Sequence, residues 1–381
     1  MKVLFIGTDR NLFKSGSKVL ERSLLYAAKM EEMHVLVFTL KSEKHKSRKI
    51  DNLYMYSTNS LSKWLYVADA YRLGKKIMKK AGFHTGSSVI SAQDPFQTGF
   101  VGLCLSRRFK IPLQLQVHTD FLSSHFSSSS LNSVRKVIAH FVMPKAQGIR
   151  VVSDTIKESM KKHLNVCQIV PEVLPILVDV DRIAGTEVTQ DLKKDFSYFK
   201  IVILMASRLT KEKKIQDGLL AIKQVVEQHP GVGLIIAGAG PEKNNLENRI
   251  KELGLTPRVR FLGWQEDLTS LYKSADIFLL TSSYEGYGMT LVEAGAAGCP
   301  IITTKVGVAK TDLFKNGVNS FVCPVGDVAC LSKAISDLIT DSSKRELFKA
   351  QMQDSIKTIA ISRDEYVDRY VGLLEKLTAK A

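Results

Sequence analysis

The sequence predicts an α/β protein made of two Rossmann-like, doubly wound domains facing each other across a cleft. Three observations carry this. Short apolar runs alternate with helical patterns along the whole chain, which is the grammar of βα units on a parallel sheet. That grammar pauses in a polar stretch near 178–198 and then restarts. At 381 residues the chain is also too long for one ordinary core and suits two of similar size.

In the first half, Lys2–Gly7 reads as a strand, Thr8–Ser17 as a loop and Val19–Met30 as a helix. His34–Leu40 is the next strand, Lys41–Ile50 a basic surface loop and Leu53–Ser57 another strand. Trp64–Lys80 has helical spacing, with Lys75, Lys76, Lys79 and Lys80 at its end. Val89–Ala92, Leu113–Val117 and Ile149–Ser153 complete the strands. Leu131–Lys145 is a basic amphipathic helical stretch after the serine-rich turn Ser127–Ser130. It reads either as a solvated helical face or as a segment lying on a membrane surface. In the second half, strands are expected at Ile201–Ala206, Gly233–Ala237, Val259–Leu262, Asp276–Leu280, Pro300–Thr304 and Ser320–Cys323, and a last helix at Asp364–Leu377.

Composition narrows the class. With 45% hydrophobic and 24% charged residues the chain reads as a soluble globular protein. Its apolar runs are too short for a transmembrane helix, and Met1–Gly7 reads as a strand rather than a signal peptide. Cys104, Cys167, Cys299, Cys323 and Cys330 are odd in number and form no Cys-x-x-Cys pair. That argues against a disulfide framework or zinc site, and for core cysteines in a reducing cytoplasm. The net charge of +16 is uneven: residues 1–185 hold 28 Lys+Arg against 14 Asp+Glu, and residues 186–381 hold 26 against 24. A basic first half implies an anionic surface or substrate, such as an anionic membrane leaflet. A generally basic soluble protein is the alternative. Nucleic acid is disfavoured, since no recognition-helix or aromatic-interleaved basic motif appears.

Ligands of doubly wound sheets bind beyond the carboxyl ends of strands, so residues there are the candidates. After Asp276–Leu280 comes Thr281-Ser282-Ser283-Tyr284-Glu285-Gly286-Tyr287-Gly288-Met289-Thr290, leading into a helix that carries Glu293. A glycine break into a helix leaves backbone N–H groups that suit phosphate, and Glu285 and Glu293 could face one pocket. An ordinary βα turn with solvated glutamates is the plainer reading. Arg208 and Lys213 follow Ile201–Ala206 and could clamp a diphosphate, or could belong to an exposed loop. Gly238-Ala239-Gly240-Pro241 lacks the third glycine of a dinucleotide fingerprint, so no nicotinamide site is expected. His118 ends a strand, with Asp120 placed to orient it, although a lone histidine is often structural. No metal-ligand spacing, Gly-x-Ser-x-Gly elbow or Walker lysine loop is found.

The second half resembles the family-4 retaining glycosyltransferases of the GT-B fold (glycosyl transferases group 1). The resemblance runs from Ser207-Arg208-Leu209 through Gly238-Ala239-Gly240-Pro241, Val259-Arg260-Phe261-Leu262-Gly263 and Glu285–Glu293 to Ala294–Ile302 and Asn316–Ser320. The first half matches more loosely, through Gly16 and His118. This resemblance implies a transferase that uses a UDP-sugar or GDP-sugar donor and needs no other cofactor and no metal. Arg208 and Lys213 would then clamp the diphosphate, assisted by the helix start at Gly288, Met289 and Thr290. Glu293 would hold the ribose and Glu285 would lie near the sugar. Leu262, Gly263 and Trp264 would border the base, His118 would touch the sugar, and Gly16 would shape the acceptor side. The implied division is 1–180 with the terminal helix 364–381 packed back on it, and 181–363. A glycan or lipid-linked acceptor in cell-surface polysaccharide assembly, met by a cytoplasmic enzyme peripheral to the membrane, completes the expectation. The alternatives are a soluble acceptor, a non-catalytic GT-B protein or a basic nucleic-acid binder. The sequence departs from the pattern at Lys214, at Ser15-Gly16-Ser17, at Thr119 after the histidine, and at Gly307-Val308 with Thr311-Asp312.

Overall fold

The computed structural model describes residues 1–123, 126, 130–163 and 169–379. Contacts divide the chain into two compact units, Met1–Pro175 with Ser362–Ala381, and Ile176–Ile361. The division falls at Pro175 rather than at 180. The stretch read as a linker near 178–198 belongs to the second unit and holds two short helices, Val180–Gly185 and Leu192–Asp195. Each starts at an aspartate, Asp179 or Asp191, whose side chain accepts backbone N–H groups of the first turn. A polar composition hid them.

The first unit is an eight-stranded sheet in the order β3-β4-β2-β1-β5-β6-β7-β8. Its strands are β1 (Lys2–Gly7), β2 (Glu32–Val37), β3 (Arg48–Ile50), β4 (Leu53–Ser57), β5 (Ser88–Ala92), β6 (Leu113–Val117), β7 (Gly148–Val151) and β8 (Glu172–Val173). All pairings are parallel except β3 with β4. The segment expected to be only a basic loop therefore supplies an antiparallel edge strand, three residues long and bearing Arg48 and Lys49, charges that blunt an exposed edge. No helix is predicted between β5 and β6 or after β7, yet Gln97–Phe109 and Asp154–His163 are helical. The first is buried at most positions from Thr98 to Ser106, so it lacks the one-sided periodicity that marks a surface helix.

The terminal helix, Arg363–Thr378, is capped by Ser362, whose hydroxyl accepts the Glu365 amide at 3.0 Å. It buries Tyr366, Val367, Tyr370, Val371, Leu374 and Leu377, a stripe at helical spacing. Tyr370 stacks on Tyr26 of the helix Lys18–Ala28 at 4.8 Å between ring centroids. A Cβ at Gly148 would lie 2.8 Å from Leu377, which shows how closely this helix lies on β7.

The second unit is a six-stranded, wholly parallel sheet in the order β11-β10-β9-β12-β13-β14. Its strands are β9 (Ile201–Ala206), β10 (Val232–Ala237), β11 (Val259–Gly263), β12 (Ile277–Leu280), β13 (Ile301–Thr304) and β14 (Phe321–Cys323). Helices cover both faces, so strands such as Val232–Ala237 are buried at every residue. The helix Ile215–Gln228 packs Ile215, Leu219, Ile222 and Val225 against Ile203, Leu234 and Ile236. Strand order reverses between β9 and β12, which makes the ends of those two strands the natural ligand crevice of this unit.

The cysteine expectation needs correction. Cys323, at the end of β14, and Cys330, in the first turn of the helix Val328–Thr340, form a disulfide. The seven-residue spacing across a strand–helix turn brings them together without any Cys-x-x-Cys motif. Cys299 is buried and free, Cys104 is half-buried and free, and Cys167 lies outside the described residues, as does most of the serine-rich turn. Among the described residues no helix is long and apolar enough to cross a membrane.

Candidate active site

In the second unit the segments after β9 and β12 are stitched together. Thr281 Oγ1 donates to the carbonyls of Lys213 (3.0 Å) and Lys214 (2.9 Å), and the Ser283 amide donates to Glu212 O at 2.8 Å. This stitching holds Lys213 beside Glu285. Lys213 Nζ donates to Glu285 Oε1 at 2.7 Å, and both side chains are only 12% exposed. Ser282 Oγ donates to the same oxygen at 2.6 Å. Lys213 has three N–H groups, so it can keep Glu285 and still meet a second anion. Lys214, which stands where the resembled pattern has glycine, adopts φ +47°. A left-handed residue is still required there, and lysine takes it at a steric cost.

Arg208 lies apart from that pair. Its side chain is 71% exposed and its Nη2 is 3.6 Å from Glu212 Oε1. An exposed pair of this kind contributes about 0–1 kcal/mol, so an incoming anion can recruit the guanidinium at little cost. Burial opposes ionisation of Glu212. The Thr210 hydroxyl (2.7 Å), its own backbone amide, and the cations of Arg208 and Lys213 outweigh burial and hold its carboxyl below the usual range.

Gly288, at φ +94°, turns the chain into the helix Met289–Ala296, so Met289 and Thr290 open the first turn with its unpaired N–H groups. Glu293 sits one turn inside. Its Oε2 accepts from Tyr272 Oη at 3.3 Å. Burial, and then Glu293 itself, push that phenol well above its ordinary range, so it stays a donor. Glu293 and Glu285 thus have different partners.

Two glycine positions explain sequence features that resist interpretation from composition. A Cβ on Gly307 would sit 2.4 Å from Tyr287 O and 2.9 Å from Glu285 Cβ, at φ +49°, while Val308 N donates to Tyr287 O at 2.7 Å. Gly307→Ala is therefore expected to displace the Glu285 turn and cost about 1–3 kcal/mol. Chemical denaturation of the variant checks this, and an unchanged midpoint would contradict it. Gly238 accepts no Cβ either, because Ser207 O would lie 1.9 Å away. Its role is to let the loop after β10 lie against the loop after β9, which is why the Gly-Ala-Gly run is not a dinucleotide fingerprint. Near Gly238, whose amide donates to Gly263 O at 2.7 Å, β11 bulges, so Leu262 lies between paired residues. Gly263 has φ +73° and Trp264 beyond it is 74% exposed.

The remaining sequence candidates belong to the first unit. Gly16, at φ +72°, precedes Ser17, which caps the helix Lys18–Ala28 by accepting the Leu20 amide at 3.2 Å. His118 follows β6 and is half-buried. Its partner is Gln116, with Nε2 at 3.3 Å from Oε1. Asp120, expected to orient it, accepts instead from the Leu122 amide (3.1 Å) and the Ser159 hydroxyl (2.9 Å). Gln116 is itself fixed: its Oε1 accepts from Arg150 Nη1 at 3.0 Å, and its Nε2 donates to Tyr370 Oη at 2.7 Å and Ser91 Oγ at 3.0 Å. With Oε1 an acceptor, the His118 proton belongs on Nε2, leaving Nδ1 as an acceptor. Burial, with the cations of Arg150 and Arg22 adding to it, pushes the imidazole down to about 3.

His118 is therefore expected to remain neutral from pH 8 to pH 5, and an imidazole NMR titration that finds it protonating above pH 5.5 would contradict this. Because its folded value lies below the unfolded one, its contribution to stability is complete above about pH 6.5 and is lost as pH falls towards 3. Gln116 and Arg150 were missed in the sequence. Their signal was polar residues inside otherwise apolar strands.

Residues 190–354 match the family model described as Glycosyl transferases group 1. Among curated relatives, the chain is 29% identical over 173 residues to the lipopolysaccharide core biosynthesis glycosyltransferase LpsE of Rhizobium meliloti, a match covering 45% of this chain and 49% of that one. It is 25% identical over 313 residues to the UDP-Gal:alpha-D-GlcNAc-diphosphoundecaprenol alpha-1,3-galactosyltransferase of Escherichia coli, covering 78% of each. The chain thus spans about half the length of the first relative. Among solved structures, Anabaena HepE in complex with UDP and glucose superposes with a TM-score of 0.76 at 21% identity, over 99% of this chain and 100% of that one. The fold is GT-B.

Proposed function

We propose that this chain, which belongs to the Glycosyl transferases group 1 family through residues 190–354, transfers a sugar from a UDP-sugar or GDP-sugar to a glycan or lipid-linked acceptor. The observation that carries this reading is the Lys213–Glu285 pair, held at 2.7 Å where β9 and β12 end and the sheet order reverses, one turn before a helix start. In the reaction the bond between the anomeric carbon and the diphosphate oxygen breaks. Negative charge grows on the leaving diphosphate. Lys213, Arg208 and the N–H groups at Met289 and Thr290 meet that charge, a role that needs no metal. Glu285, held at 2.7 Å from Lys213, faces the positive charge growing on the sugar. Glu293, aimed by Tyr272, accepts the ribose hydroxyls, and Leu262 and Gly263 border the base.

Transfer proceeds with retention. The acceptor oxygen bonds to the anomeric carbon on the face the diphosphate leaves, and its proton passes to a phosphate oxygen. Glu285 then serves charge stabilisation rather than covalent attack.

A lipid-linked acceptor is supported by the first unit. In the helix Ser130–Val142, Leu131, Val134, Val137 and Phe141 are 57, 57, 70 and 47% exposed, an apolar stripe on a helix that also carries Arg135 and Lys136. Such a face suits the interface of an anionic leaflet, in keeping with the excess of basic residues in this half, and supports a role in surface-glycan assembly. The acceptor that the Escherichia coli relative's name gives, a diphosphoundecaprenol, fits the same picture. The test is sugar transfer from labelled UDP- and GDP-sugars to lipid extracts and to water-soluble glycans, with the product's anomeric configuration read by NMR. An inverted product overturns retention. Equal transfer to soluble acceptors, with no gain from lipid, overturns the lipid acceptor.

A further inference from the structure

The first unit holds an open groove of about 1020 Å³, formed by the loops after β2 and β4 and by the helix Tyr66–Lys80. Five cations line it: Lys41, Lys44, Lys46, Arg72 and Lys76. Among the described residues its one lining carboxylate, Asp69, is engaged by Arg72 at 3.4 Å. Glu43, nearby, is taken by Arg10 at 2.9 Å and by the Leu40 amide at 3.0 Å. Among the described residues, Lys41, Lys44, Lys46 and Lys76 take part in no ion pair. Four unpaired ammonium groups around one concavity repel one another, and an anion between them would relieve this.

The cradle is built rather than loose. Lys41 N donates to Ser60 O at 2.9 Å, Ser60 N to Thr39 O at 2.9 Å, and the Asn59 amide to Thr39 Oγ1 at 3.0 Å, tying the two loops together. Lys44 at φ +55° and Asn59 at φ +47° are left-handed without being glycine, a strained geometry that recurs where loops hold ligands. Ser57, Thr58 and Asn59 also line the groove and bring hydroxyl and amide groups to it.

One lip of the groove is apolar. Leu61, Trp64 and Leu65 are 76, 94 and 39% exposed, and Leu61 and Leu65 line the groove itself. An exposed tryptophan flanked by leucines suits an apolar chain or bilayer interface. The groove also borders the first βα loop, since Phe13 stacks on the groove residue His45 at 4.9 Å and Arg48 Nη2 donates to Leu12 O at 3.3 Å. A soluble anion would use the lysines and leave the lip idle.

We propose that this groove binds the phosphate or diphosphate head of a membrane lipid, with the chain leaving over Leu61, Trp64 and Leu65. This rests on the lipid-acceptor part of the proposed function and assigns the acceptor class a site: an amphiphile anchored through phosphate. The test is flotation of the full-length protein with phosphatidylcholine vesicles carrying phosphatidic acid, or phosphatidylserine at matched surface charge, with inorganic pyrophosphate as a soluble competitor. UDP- and GDP-sugar binding is measured in parallel on the same proteins.

Wild type is expected to bind the phosphomonoester vesicles at least about tenfold more tightly than the phosphatidylserine vesicles. The Lys44→Ala, Lys46→Ala, Lys76→Ala triple variant is expected to lose that preference. Trp64→Ala is expected to weaken vesicle binding while leaving pyrophosphate binding unchanged. Equal binding to both vesicles, or a triple variant that keeps the preference, overturns the site. Pyrophosphate binding with no gain from lipid overturns the lipid source. Any of these failures with nucleotide-sugar binding intact leaves the transferase reading standing, whereas absence of nucleotide-sugar binding strikes that reading alone.

Discussion

Lys213→Ala is expected to lower kcat by about 10²- to 10³-fold with a much smaller change in donor KM. The diphosphate gains most of its charge as the glycosidic bond breaks, so a cation aimed at it acts mainly in the transition state. The variant also removes the partner of a carboxylate that is only 12% exposed, leaving Glu285 with the Ser282 hydroxyl. Arg208→Ala, removing an exposed side chain whose nearest anion is 3.6 Å away, is expected to slow turnover with little effect on stability. Steady-state kinetics with circular dichroism of each variant separates these effects. Near wild-type turnover in both would refute the clamp.

Arg150→Ala is expected to destabilise the first unit by about 3–5 kcal/mol. Arg150 is 4% exposed, and its guanidinium donates to the carbonyls of Leu174 and Pro175, to Gln116 Oε1 and to Tyr366 Oη. Its removal strands several buried acceptors at once and opens a cavity beneath the terminal helix. For a unit of this size the thermal midpoint is expected to fall by roughly 10 °C or more. Arg150→Lys keeps the charge and loses the planar fork, so an intermediate loss is expected. A loss below about 1 kcal/mol in Arg150→Ala would contradict the role given to this network.

The strands were legible because parallel strands covered on both faces are largely apolar: Ile201–Ala206 is apolar throughout and Leu113–Val117 interrupts its apolar residues only with Gln114 and Gln116, and in both the expected and observed bounds coincide. The helix Gln97–Phe109 was not, because burial on most of its faces removes the polar half of the period. Edge strand β3 was masked by the charges that protect it. At the site, residue types and strand ends could be read, but partners could not. Lys213 and Glu285 are 72 positions apart, and only the reversal of strand order between β9 and β12 makes them neighbours. For His118 the adjacent aspartate was the obvious partner in sequence. A strand alternates its faces, so Gln116, two residues back, shares the histidine's side and takes that place. The disulfide escaped for a similar reason: a strand end and the following helix turn meet in space at a spacing no motif describes.

The most direct measurement is calorimetric titration of UDP- and GDP-sugars into wild type and Glu293→Ala. Saturable binding of sugars on one of the two bases is expected for wild type, with affinity at least about tenfold weaker once the carboxylate proposed to hold the ribose is gone. Absence of binding for every nucleotide sugar, or equal affinity in the two proteins, would contradict the assignment of the β9–β12 strand ends as the donor site.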